Sequence, residues 1–164
     1  MLILGIDPGT ATTGYGLVQV TSDGLRVVSW GLIETDKNGL KENRLNIIYE
    51  KTLELINLHK PDCFVIEKIF FATNAKTAIA VGQAQGVLLL AASKCSVSVF
   101  EYAPGTIKKM ITGSGKSNKK EVQKHVKNIL GNKVKSVKGK RTHFDNEADA
   151  LAIALTHAMT INNV

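Results

Sequence analysis

Cysteine is scarce in this 164-residue chain: there are two, Cys63 and Cys95, in unrelated apolar settings and without CxxC spacing. That offers no disulfide framework and reads as buried thiols in a reducing compartment. Long apolar runs are missing too: none approaches the roughly 18 residues of a membrane span. The opening MLILGI carries neither a basic leader nor a cleavage site, so it is not read as a signal peptide. No membrane partner is expected, and the cytoplasm is the expected location. Repeats and low-complexity tracts are absent as well. With 44% hydrophobic and 21% charged residues, the chain is expected to form one domain over residues 1–164, large enough to bury its own core.

One absence is local. Residues 108–141 hold twelve of the 21 Lys and Arg but a single one of the 14 acids, Glu121. That segment is therefore +11 and the remainder −4, within a net charge of +7. A segregated basic stretch suits a polyanion partner; the bland alternative is a solvated lysine-rich surface.

The pattern of the chain predicts a mixed sheet. LILGID is a continuous apolar run followed by a turn-rich stretch. GYGLVQV and GLRVVSWGLIE read as strands joined by an SDG hairpin turn. Residues 40–59 have helical spacing ended by Pro61, and CFVIE is a short buried strand. A small-residue helix over 74–93 follows, then the strand SVSVFE. Pro104 opens a short helix, 118–130 reads as an N-capped helix, 131–142 as a basic loop and 145–160 as the last helix. Three strands on short turns, then strands alternating with helices, give an α/β fold. Its five-stranded mixed sheet has β1 (LILGID), β2 (GYGLVQV) and β3 (GLRVVSWGLIE) antiparallel, and β4 (CFVIE) and β5 (SVSVFE) parallel to β1, flanked by helices.

Three strands end in an acid: Asp7, Glu67 and Glu101. Ligands of open α/β sheets bind beyond the carboxyl ends of the strands. Parallel neighbours would bring Asp7 and Glu67 to about 5 Å laterally, where like charges repel unless protonated or bridged by a cation. Glu101, one strand further out, is better read as a supporting or capping carboxylate. The stretch HFDNEADAL at 143–151 adds more acids. On a helix Asp145 with Asp149, or Asn146 with Asp149, share a face, and alanines at 148, 150, 152 and 154 would let that helix lie close to the sheet. Asp145 and Glu147 have an ordinary reading as charges at a helix N-terminus, but ADALAIALTH offers Asp149 no solvated face. Hard oxygen ligands suit Mg²⁺ or Mn²⁺. Beside a +11 segment they point to metal-assisted phosphodiester hydrolysis with two ions roughly 4 Å apart.

GIDPGTATTGYG, CFVIEKIFFATNAKTAIAVGQAQGV, VFEYAPGTIKK and EADALAIALTH, in that order and spacing, resemble the RuvC family of Holliday junction resolvases almost end to end. The resemblance implies a ribonuclease H-like fold and a homodimer. It also implies symmetric, Mg²⁺- or Mn²⁺-dependent cutting of four-way DNA junctions in recombination and repair, alongside RuvA and RuvB. It implies that Asp7, Glu67 and Asp149 are metal-binding catalytic carboxylates. The family's fourth ligand, an Asp or His three residues before the last Asp, falls here on Asn146, which has a carbonyl oxygen and no charge. Three readings stand: Asp145 substitutes from one residue back, His143 reaches in from the preceding loop, or Asn146 is an introduced substitution that weakens cleavage. The third is preferred.

The same resemblance makes Phe70 and Phe71 stacking groups at the branch point, with Asn74 beside them, against a plain reading as core phenylalanines. Lys108 and Lys119 would lie near the scissile backbone. Lys116, Lys120, Lys124, Lys138, Lys140 and Arg141 would be phosphate contacts. The helix rich in Ala78, Ala80, Gly82, Ala84 and Gly86 would be the dimer interface; the plain reading is packing on the monomer's own sheet, and the two are compatible on different faces. GSGKS at 113–117 imitates a P-loop, but Met110 stands where the pattern needs glycine and no strand leads in. Three rivals remain. One is a nucleotide-binding loop of the actin and sugar-kinase type, for which one domain is too small. The others are a non-cutting junction clamp, favoured by Asn146, and a YqgF-like RNA nuclease, against which FFATNAK and EYAPGTIKK argue.

Overall fold

The computed structural model describes residues 1–69, 75–131 and 144–161, with Phe144 and Asp145 described as backbone. In chain order the elements are β1 (Leu2–Asp7), β2 (Thr12–Thr21), β3 (Gly24–Glu34), α1 (Lys41–His59), β4 (Cys63–Glu67), α2 (Ala75–Lys94), β5 (Ser98–Tyr102), α3 (Pro104–Thr112), α4 (Lys119–Leu130) and α5 (Phe144–Ile161). The sheet order is β3-β2-β1-β4-β5. β1 runs antiparallel to β2 and β2 to β3, while β4 is parallel to both β1 and β5. This is the mixed, ribonuclease H-like arrangement expected from the pattern.

Local chemistry explains most boundaries. The β2–β3 hairpin turns at Ser22 and Asp23 into Gly24, whose φ of 115° suits a residue without Cβ. α1 ends at Lys60 in the left-handed region, with its N–H bonded to the Ile56 carbonyl, and Pro61 prevents continuation. Pro104 opens α3, where its missing N–H leaves no bond unmade. α4 carries a full capping box: the Asn118 side chain accepts from the Glu121 N–H, and the Glu121 carboxylate accepts from the Asn118 N–H. GSGKS is the turn between α3 and α4, led in by a helix rather than a strand.

The two sheet faces are built differently. Ile3, Cys63 and Val65 point to the face covered by α3, α4 and α5, where Ile107, Ile111, Val122, Val126, Leu151 and Leu155 complete the core. Leu4, Ile6, Leu17, Phe64 and Ile66 point to the other face, under α1 and α2, with Ile48, Ile56 and Leu88. α5 lies almost backbone to backbone on its face: a Cβ on Gly5 would meet the Ala150 carbonyl at 2.4 Å, and one on Gly14 the Asn146 carbonyl at 2.3 Å. The alanines foretold this approach; the strand glycines are its other half.

By length and composition alone, α2 is the one helix among the described residues apolar enough to cross a membrane. Ala84, Gln85, Leu88, Ala91 and Ala92 nevertheless bury one side of it on the sheet. The small residues of α2 also divide. Ala84 is fully buried within the monomer, whereas a Cβ on Gly86 would meet nothing within 4 Å.

Candidate active site

β1 and β4 stop at the same level. Ile6 pairs with Ile66, so the next residues, Asp7 and Glu67, stand side by side at the carboxyl end of the parallel pair. Alternation along each strand sends both carboxylates to the α5 face, with Ile3, Gly5 and Val65. Because α5 rests directly on the glycines of β1 and β2, its third residue beyond Asn146, Asp149, arrives at the same strand ends. Asp7, Glu67 and Asp149 line one cleft of about 250 Å³ together with Lys108 of α3, Lys119 of α4, Pro104, Ile107, Val122, Ala152 and Ile153. A second groove continues past Asp7, Glu67 and Pro104 to Thr77, Ala78 and Val81 of α2.

The electrostatics follow from this crowding. Burial pushes the Asp7 carboxyl up from 3.8 to about 7, reinforced by Asp149 and Glu67 and opposed by Lys119. Glu67 is also raised, first by burial and then by Asp149, against Lys108 and Lys119. The Lys119 ammonium lies 2.7 Å from the Asp149 carboxylate. Three buried or half-buried acids thus share a cleft whose positive charge comes from two lysines. The donor set is all oxygen, with no thiolate or imidazole, which suits a hard divalent cation. Among the described residues no group of three acids, histidines or cysteines is drawn tightly enough together to form a ready metal cage.

The other sequence candidates scatter. Glu101 is not the last residue of β5, which runs on to Tyr102. It pairs with Ile66 rather than with Glu67, so its side chain leaves on the α2 face. There its carboxylate accepts from the Gln85 amide at 3.0 Å. Glu101 is a tie between β5 and α2, outside the cleft. Asn146 is half-buried at the start of α5, its carbonyl against Gly14, and is not among the residues lining the cleft. Lys116 and Lys120 are exposed beside α4's first turn. Lys124 lies on the same helix. Phe70, Phe71, Asn74, Lys138, Lys140, Arg141 and His143 fall outside the described residues, as does the side chain of Asp145. Reasoning from the sequence missed Tyr102. Its hydroxyl shares a 2.9 Å hydrogen bond with Nδ1 of His157, and burial lowers the imidazole's pKa. Phe100 stacks on the same ring with centroids 4.3 Å apart.

The sequence profile described as Crossover junction endodeoxyribonuclease RuvC matches residues 3–157. Proteins of that description from Caldicellulosiruptor saccharolyticus and Pseudothermotoga lettingae are 39% and 41% identical, covering 100% and 99% of this chain and 96% of each relative. Among solved structures, Thermus thermophilus RuvC superposes with a TM-score of 0.85 at 34% identity, covering 99% of this chain and 96% of that one. The same protein in complex with Holliday junction substrate superposes at 0.87 and 33%, with the same coverage. A yeast mitochondrial Holliday junction resolvase shares the fold, at 0.68 and 16% over 94% of this chain and 77% of that one.

Proposed function

The chain belongs to the RuvC family of crossover junction endodeoxyribonucleases, and from that premise we propose that it resolves four-way DNA junctions by hydrolysing phosphodiester bonds through the Asp7–Glu67–Asp149 cleft. Residues 1–164 then form one nuclease domain, working with the chromosome in the cytoplasm during recombination and repair. The observation that carries this reading is Asp7, a carboxyl held near pH 7 by burial and by two like neighbours at the end of a parallel strand pair.

Asp7, Glu67 and Asp149 would hold Mg²⁺, or Mn²⁺ in its place, at two ions per site. When bound, these cations polarise the scissile phosphate and acidify a water. The chain's own side chains do the rest. Asp7 and Glu67 fix the donor positions through strand ends that cannot move independently. Lys119, beside Asp149, and Lys108, lining the same cleft, would face the strand being cut and offset charge on its phosphate. The +11 segment supplies longer-range attraction, so junction binding falls steeply with salt. Phe70, Phe71 and Asn74 would engage bases at the branch point, with Lys116, Lys120, Lys140 and Arg141 on phosphates. A homodimer through the outward side of α2, where Leu90 is 50% exposed, presents two cuts of like polarity. RuvA and RuvB are the expected branch-migration partners.

Asn146, without charge, leaves this chain a weakened nuclease unless a neighbour supplies the fourth ligand. Cleavage of a synthetic four-way junction in Mg²⁺ and Mn²⁺ tests both points, comparing the chain with Asn146→Asp and Glu67→Gln. Glu67→Gln is expected to bind the junction and not cut it; cutting by that variant would falsify the assignment. A large gain for Asn146→Asp marks a weakened enzyme. Equal rates mean that the fourth ligand lies elsewhere, and binding without cutting in all three favours the clamp.

A further inference from the structure

Strand pairing holds Asp7 from one side only. Beyond it the chain leaves β1 through the short loop of Pro8, Gly9, Thr10 and Ala11, and β2 begins at Thr12. Pro8 lines the groove that it shares with Asp7, Glu67 and Pro104, so this loop is a wall of the candidate active site. Loop carbonyls that turn towards the protein need donors. Here three successive ones are each met by a threonine. Thr13 Oγ1 donates to the Gly9 carbonyl at 2.7 Å, and Thr35 Oγ1 to the Thr10 carbonyl at 2.6 Å. The Thr35 N–H donates to the Ala11 carbonyl at 3.0 Å.

Thr35 reaches furthest. It follows the last residue of β3, and its hydroxyl oxygen also accepts from Arg44 Nε at 2.9 Å. A hydroxyl carries a single hydrogen, arginine cannot accept and a carbonyl cannot donate. The hydrogen must therefore point at Thr10 while a lone pair faces Arg44. A charged donor on that lone pair polarises the hydroxyl and strengthens the bond it makes to the loop. Arg44 is half-buried near the start of α1, one turn ahead of the buried Ile48, and belongs to neither apolar layer of the sheet. Its stem runs past Gly39, where an added Cβ would meet Arg44 Cγ at 3.6 Å. One side chain thus joins the start of α1, the end of β3 and the loop that follows Asp7.

We propose that Arg44 is a positioning residue for the carboxylate cleft, acting through Thr35 to hold the loop beside Asp7. Arg44 is not among the residues lining the cleft or its groove, so it reaches the chemistry through the loop. Without its donor the Thr35 hydroxyl is free to turn away, and of the two bonds from Thr35 the loop keeps the backbone one at Ala11. Pro8 then moves more freely against Asp7 and Glu67, and the wall that orients the strand being cut loosens. The effect on cutting rests on the nuclease reading above; the clamp on the loop does not.

Four variants of the full chain test this. Arg44→Met keeps the stem and loses the donor, Thr35→Val keeps the shape and loses the hydroxyl, Thr35→Ser keeps the relay, and the fourth combines Arg44→Met with Thr35→Val. Each is made with and without Asn146→Asp, so that slow chemistry does not hide the effect. Affinity for a four-way junction is measured in chelator across salt concentrations, and single-turnover cleavage at saturating protein in Mn²⁺. Arg44→Met and Thr35→Val should bind with the wild-type affinity and salt slope. Both should cut about 10-fold more slowly, a smaller loss than that of a displacement near 1 Å. Thr35→Ser should cut like the wild type, and the combined variant no more slowly than Thr35→Val, since one group acts through the other. Hydrogen exchange of the Thr35 N–H, which bonds to Ala11, should quicken in both single variants. A lowered Tm with normal cleavage per folded molecule would make Arg44 a stability residue and overturn the proposal. Weaker binding with a shallower salt slope in Arg44→Met alone would also overturn it, by marking a direct phosphate contact. So would a combined loss equal to the product of the two single losses. If neither background cuts a junction, the nuclease reading fails and exchange decides the clamp: quickened exchange leaves it standing, and unchanged exchange overturns it.

Discussion

The two faces of the sheet are equally buried and differently made. Under α1 and α2, Ile48, Phe64, Ile66 and Leu88 interlock as large side chains. Such a layer has several near-equivalent packings and tolerates compensating shifts. Under α5, the contact at Gly5 and Gly14 is backbone against backbone, with no side chain between them to adjust. The acids stand on that second face. Placement of Asp149 against Asp7 and Glu67 therefore descends from main-chain geometry, while the first face supplies stability without setting the site.

Gly5→Ala should break this contrast most severely. Its Cβ would sit 2.4 Å from the Ala150 carbonyl and 2.6 Å from the Ala154 nitrogen, so α5 must lift bodily. Urea unfolding should record a loss of about 3 kcal/mol, the upper part of the overpacking range. Junction cleavage by the folded fraction should fall about 100-fold, as expected for a displacement near 1 Å. Leu88→Ala on the other face should lose a similar 2–4 kcal/mol through its cavity, yet the folded fraction should cut at the wild-type rate. Wild-type cleavage by Gly5→Ala, or a matching collapse of cleavage in Leu88→Ala, would refute the division of labour.

Asp7 sharpens the contrast through pH. Its carboxyl rises from 3.8 to about 7 on folding, so the folded state holds the proton more tightly than the unfolded one. The stabilisation from that proton is complete below about pH 4, is lost progressively between pH 4 and pH 7, and is gone above. Asp7→Asn keeps the shape and removes the titration. In chelator its advantage over wild type should therefore grow by about 3 kcal/mol from pH 5 to pH 8 by thermal unfolding. A difference independent of pH would mean that the carboxyl is not crowded as described. Cleavage should vanish in this variant at every pH.

What the sequence made legible follows the same division. Strand ends carrying Asp7 and Glu67 could be read because buried parallel strands are uninterrupted apolar runs that stop where the acid begins. Ala148, Ala150, Ala152 and Ala154 announced the close helix. Glu101 was misplaced because β5 begins at Ser98 and continues to Tyr102. Glu101 therefore pairs with Ile66 and not with Glu67, and a one-residue difference in register reverses the face of every side chain. Gly5, Gly14 and Gly16 carried no such signal, since their role depends on contact with α5 at the far end of the sequence.

The smallest expected effect asks whether side chains help seat α5 at all. Tyr102 is register partner to Glu67, and its hydroxyl meets His157 of α5 at 2.9 Å, joining the outer strand to the catalytic helix. His157 is 3% exposed, so Tyr102→Phe leaves a ring nitrogen buried without that partner. The loss should be about 1 kcal/mol, seen as a fall in Tm of about 2–4 °C for a chain of this size. If main-chain contact with Gly5 and Gly14 fixes the helix, cleavage should fall by less than about threefold, under 1 kcal/mol of barrier. A loss comparable to that of Gly5→Ala would make the Tyr102–His157 bond a second determinant of where Asp149 stands, and the backbone contact alone would no longer account for the site.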